Sequence, residues 1–93
     1  MTDETILGIL KTDLQISSVA LDTYLTNLIT ESRTLIGTEG ITLQQTIQDG
    51  MLVEQYAAYL YRSRRQAAGA MPRSLRWALN NRLFSEKGSV TDG

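Results

Sequence analysis

Arginine beside aromatic residues is the chemistry most evident in this chain, and it suits binding better than bond-breaking. Arg62, Arg64 and Arg65 form one cluster; Arg73 and Arg76 lie near Trp77, Asn80 and Phe84 in a second. Planar guanidinium groups and large aromatic rings are enriched at the centres of protein interfaces, where both can be desolvated without losing their polar contacts. Catalytic constellations are scarce by comparison. The sequence holds no histidine and no cysteine, which removes the commonest general base, the commonest metal ligand and every thiolate site. Gly37-Thr38-Glu39-Gly40 lacks the lysine and the length of a phosphate loop, and no serine has a histidine to activate it. No two acids share a predicted face at a diagnostic spacing. The expectation is a protein that is not an enzyme, with no catalytic, cofactor or metal residues.

The elements that must position these residues follow from apolar spacing. Thr2 or Asp3 caps a short helix carrying Ile6, Leu7 and Leu10, which ends before Leu14-Gln15-Ile16. Ser17 or Ser18 is expected to cap a second helix. There Leu21, Leu25, Leu28, Ile29, Leu35 and Ile36 fall on one stripe, with threonines opposite, and Gly37 is expected to close it. Residues 37–50 mix glycines, an alternating Ile41-Thr42-Leu43 and glutamines, which predicts a long flexible loop or extended arm. A third helix from about Gln48 or Asp49 to Ala67 presents Leu52, Tyr56, Tyr59 and Leu60 on one face and Tyr61 away from it. Gly69 and Met71-Pro72 interrupt the pattern, and Pro72 suits the first turn of a fourth helix running to about Ser85, with 88–93 a frayed tail. The fold class expected is all-α, a small bundle of about four helices in a single domain, 1–93.

The fourth helix has two apolar faces. Leu75, Leu79 and Leu83 lie on one side, and Trp77 and Phe84 lie nearly opposite. So small a domain rarely covers both, and the aromatic face is the candidate contact surface. The alternative is a central helix with both faces in the core. For Arg62, Arg64 and Arg65 the plain explanation is favourable charge at a helix C-terminus, worth about 0.3 to 1 kcal/mol each. As a cluster they can also meet acidic protein or phosphate.

With 93 residues, 42% hydrophobic and 20% charged, the chain has the balance of one globular domain. Its net charge of −1 conceals an asymmetry, since eight of ten acids precede Arg62 and seven of nine bases follow Tyr61. Opposite signs in the two halves are expected to favour head-to-tail association. No apolar run approaches the roughly 20 residues that span a bilayer, and the acidic Met1-Thr2-Asp3-Glu4 opening is unlike a signal peptide. No membrane partner is expected, and the chain is expected to be made and kept in the cytoplasm.

The stretch Met71-Pro72-Arg73-Ser74-Leu75-Arg76-Trp77-Ala78-Leu79-Asn80-Asn81-Arg82-Leu83-Phe84, preceded by Tyr61-Arg62-Ser63-Arg64, resembles the phage head-tail connector (adaptor) family of long-tailed phages. Leu10-Lys11-Thr12-Asp13-Leu14-Gln15-Ile16 is similar to that family's opening turn, so the resemblance covers about residues 4 to 87 in the expected order. One departure is Ser17-Ser18-Val19-Ala20-Leu21-Asp22, where many relatives carry an acidic cluster; contacts attributed to those acids do not carry over. The resemblance implies a structural virion protein at the head-tail interface, assembled in the host bacterial cytoplasm. Its expected partners are copies of itself in a ring, commonly about twelve, the portal protein and a downstream tail-completion protein. DNA would pass through the ring non-specifically. Arg73, Arg76, Trp77, Asn80, Phe84, Arg62, Arg64 and Arg65 are the expected subunit or portal contacts. A rival reading from a different class is a small helical DNA-binding regulator whose fourth helix reads a groove through Arg73, Arg76 and Arg82, although the acidic balance opposes it.

Overall fold

The computed structural model describes residues 1–66 and 70–92, and its architecture is an all-α bundle of four helices: α1 (Asp3–Leu14), α2 (Asp22–Thr38), α3 (Ile47–Gln66) and α4 (Arg73–Asp92). Thr2 caps α1 by accepting a hydrogen bond from the Thr5 amide, and Gln15 ends it in the left-handed conformation, φ 59°. Ser18 does not cap α2. Its hydroxyl accepts from the Ala20 amide within the preceding turn, and α2 begins behind Leu21 with no side-chain cap.

The α2–α3 connection differs from the long arm expected over 37–50. Gly37 stays inside α2, so the connection comprises residues 39 to 46 only, with Gly40 taking the positive φ of 102°. Ile41 is buried and anchors the segment. Thr46 and Asp49 explain the earlier start of α3: the Thr46 hydroxyl accepts from the Asp49 amide, and the Asp49 carboxylate reaches back to accept from the Gln44 amide. The Thr46 bond is the first half of a capping box; the returning bond from Asp49 falls on the Gln44 amide, two residues before the cap, and so ties down the connection.

Helix α3 is the centre of the bundle, in contact with α1, α2 and α4. Leu52, Val53, Tyr56, Ala57, Ala58 and Leu60 are buried on it, a wider arc than one stripe, and they meet Ile6 and Leu10 of α1 and Leu25, Leu28, Ile29 and Ile36 of α2. Each fully buried leucine or isoleucine contributes about 1.5 to 3 kcal/mol. Tyr61 does not point away; its ring lies 6.4 Å from that of Tyr24 on α2. At the N-terminal end Gly50 permits close approach, because a Cβ there would fall 2.7 Å from the Met1 Cβ.

Helix α4 rests chiefly on α3 and stretches the molecule to 48 Å in its longest dimension. It continues to Asp92, so residues 88–92 are helical where a frayed tail is expected; Gly93 lies outside the described residues. Apolar spacing marks where a helix touches its neighbours, whereas its backbone hydrogen bonds can continue beyond that contact; no proline follows Ser85, and the helix runs through Gly88. Gly69, expected to break the pattern after α3, also lies outside the described residues. No helix among the described residues is long and apolar enough to cross a membrane.

Candidate functional site

The two apolar faces of α4 separate as their spacing requires. Leu75 and Leu79 are buried against the core, while Trp77 is 69% and Phe84 81% exposed. Seven residues apart, the two aromatics sit almost directly above one another on the helix, and Arg73, Asn80 and Asn81 are exposed on the same side. The result is an aromatic ridge flanked by an arginine and two asparagines, held in place by the leucines behind it.

The arginines expected at this surface divide into two groups. Arg76 donates two hydrogen bonds to Glu39, at 2.9 and 3.0 Å, and a longer one to Asn80. Arg64 pairs with Glu31 of α2, and Arg65 stacks over the Tyr61 ring at 4.6 Å. Among the described residues, Arg62 reaches the backbone carbonyl of Asp13, at 3.5 Å. Arg73 forms no ion pair among the described residues. The residues expected to act together therefore occupy two regions: Arg73, Trp77, Asn80 and Phe84 form the ridge, with Arg76 at its border, whereas Arg62, Arg64 and Arg65 serve the end of α3.

Opposite charges in the two halves of the sequence meet inside one chain, through Glu31–Arg64, Glu39–Arg76 and Asp49–Arg82. This internal pairing removes charge asymmetry as an argument for head-to-tail association. It also bears on groove reading by α4, since Arg76 and Arg82 are both occupied by carboxylates.

Arg82 organises a network that apolar spacing did not reveal. Its guanidinium donates to both Asp49 oxygens (3.3 and 3.1 Å), to Glu86 (2.7 Å) and to the Thr42 carbonyl (2.8 Å), while Glu86 accepts from the Thr42 amide. The α2–α3 connection is thus tied to α4. Burial alone would push the Asp49 carboxyl up, but hydrogen bonds from Arg82 and the Gln44 amide, with the Arg82 charge, hold it below its usual value. Arg82 is raised in turn, with the Asp49 hydrogen bond the largest cause and the Glu86 hydrogen bond adding to it against desolvation. The available sequence signals were the Thr46-x-x-Asp49 spacing and the Arg82–Glu86 pair at i, i+4.

Glu54 has no comparable support. It is 1% exposed, and its Oε2 has no hydrogen-bond partner. Desolvation, then the neighbouring Asp13 carboxyl, pushes it up to about 8, and Arg62 opposes the shift only weakly. Glu54 and Asp13 line a cleft of about 170 Å³ with Gln55, Ala58, Tyr59 and Arg62 of α3 and Pro72, Ser74 and Leu75 at the start of α4. No group of three or more acids capable of holding a metal occurs among the described residues.

Comparison of the chain with protein-family models, curated proteins and solved structures finds no match in any of the three.

Proposed function

We propose that this chain is a structural virion protein, one subunit of a ring-shaped head-tail connector that joins the portal to the tail and lets DNA pass. The observation that carries the reading is the α4 ridge: two large aromatic side chains, Trp77 and Phe84, stand exposed on a helix whose opposite face is fixed in the core. Exposed aromatics beside arginine and asparagine have the composition of an interface centre, and covering them removes apolar area from water. The resemblance of residues 71–84 to the connector family gives this surface its occupant, a neighbouring subunit or the portal. The ring itself, its copy number, the tail-completion partner and the location in the virion come from that resemblance.

The test is the native mass of the purified chain, alone and mixed with the portal ring from the same genome, for the wild type and for a Trp77→Ser, Phe84→Ser double variant. The expected outcome is a large discrete multimer for the wild type in at least one sample and a folded monomer for the variant in both. A wild-type monomer under both conditions, or normal entry of the double variant into connectors, would overturn the reading. The DNA-binding alternative predicts affinity for duplex DNA that falls steeply with salt, and lack of binding even at low salt would dispose of it.

A further inference from the structure

The Glu54 cleft joins three observations not used in the connector reading. A carboxylate is almost fully enclosed, with one oxygen unpartnered; a second carboxylate, Asp13, faces the same space; and the cleft opens at the junction of α1, α3 and α4. Leaving a buried carboxyl oxygen without a donor costs about 1 to 3 kcal/mol in proteins. Asp49, on the same helix, receives a guanidinium and a backbone amide at its own buried carboxylate. Arg62 does not supply the equivalent at Glu54, since it donates instead to the backbone carbonyl of Asp13.

We propose that the Asp13–Glu54 cleft is a binding site for an alkylguanidinium group, the head of an arginine side chain. The chemistry matches on three counts. A guanidinium has five donors and no acceptor, so two facing carboxyls satisfy it and it satisfies the orphaned oxygen. Tyr59, Pro72, Leu75 and Ala58 give the alkyl stem an apolar wall. The volume of about 170 Å³ admits a group of this size but no large cofactor. The charged and titratable groups lining the cleft are Asp13 from α1 and Glu54, Tyr59 and Arg62 from α3, while Pro72 before α4 and Ser74 and Leu75 on it bring no charge. An arriving cation favours ionised Glu54, so binding releases a proton where Glu54 begins neutral, and affinity increases as pH rises toward about 8. The site is independent of the connector reading, because it is tested on the isolated chain.

The experiment titrates isotopically labelled protein with propylguanidinium near pH 8 and follows backbone amide shifts, with propylurea as the uncharged control. Saturable shifts at Asp13, Glu54, Ala58 and Leu75 are expected. Glu54→Gln should weaken the interaction by about tenfold or more, since it removes the charge while keeping the shape. Asp13→Asn, at an exposed position, keeps the test readable if the first variant does not fold. No saturable response, an equal response to propylurea, or undiminished affinity in both variants would overturn the proposal. Two further probes distinguish sources of the same chemistry. Tighter binding of acetyl-arginine amide than of free arginine assigns an arginine within a protein chain, and the reverse assigns a free small molecule; either upholds the site.

Discussion

Asp49 and Glu54 lie five residues apart on one helix, at 5% and 1% exposure, yet their acidities move in opposite directions. Asp49 accepts from the Arg82 guanidinium and the Gln44 amide and stays ionised below its usual range; Glu54 faces another carboxyl and is pushed up to about 8. Burial disfavours both charges. The partner decides the outcome, and the partner is set by direction: the two side chains point about 140° apart around an ideal helix, one toward α4 and the connection, the other toward the end of α1. A buried acid within a donor network is structural, whereas one lacking donors is available to a ligand or to a proton.

The largest effect is expected from breaking the satisfied half of the comparison. Asp49→Ala leaves the Arg82 guanidinium without its main partner and the Gln44 amide without an acceptor, and should cost about 2 to 4 kcal/mol in urea unfolding at neutral pH. A loss under 1 kcal/mol would mean that Glu86 and water replace the carboxylate. The lowered Asp49 value also sets a sign: its contribution is full above the ordinary carboxylate range and is lost as pH falls through its folded value.

Glu54 gives the opposite sign and a somewhat smaller effect. Its folded value lies above the ordinary 4.5, so the native state binds the proton more tightly than the unfolded chain, and its contribution is full below 4.5 and lost as pH rises through about 8. Thermal melts of the wild type should therefore decline from about pH 5 to pH 8 relative to Glu54→Gln. The variant should be the more stable by about 1 to 3 kcal/mol near pH 8, because a buried charge lacking donors has been removed. Parallel pH profiles for the two proteins would show that Glu54 finds a donor in solution.

Much of the fold was legible in the sequence, because helices with sustained apolar spacing reveal themselves whatever they pack against. The α2 stripe at Leu25, Leu28, Ile29 and Ile36, and the two faces of α4, stand as their periodicity requires. The connection is shorter than its composition suggests because Gly37 continues α2, and because the hydrogen bonds of Thr46 and Asp49, which start α3 early, leave no mark in apolar spacing. The two carboxylates were the least legible part. Glu54 lies between Val53 and Tyr56 among buried residues, a pattern that signals burial of a charge but not which residues face it. Asp13, forty-one positions earlier, becomes its neighbour only through the packing of α1 on α3, and Arg82 reaches Asp49 only once α4 folds back. The aromatic ridge is the reverse case, being local to one helix and hence readable from spacing alone.

Arg76 and Glu39 sharpen the comparison at its weak end. Their pairing is bidentate, with distances as short as those at Asp49, but the Arg76 side chain is 43% exposed and water competes for both ends. If geometry alone governed these pairs, Arg76→Ala would cost as much as Asp49→Ala. Solvent screening argues instead for about 0.5 to 1 kcal/mol. The difference between wild type and variant should shrink further between 0.05 and 1 M salt, where the screening length falls from roughly 14 to about 3 Å. Urea unfolding across that salt series separates the two ideas, because Asp49, enclosed by Arg82, Thr42 and the connection, should keep most of its contribution while Arg76 loses its own.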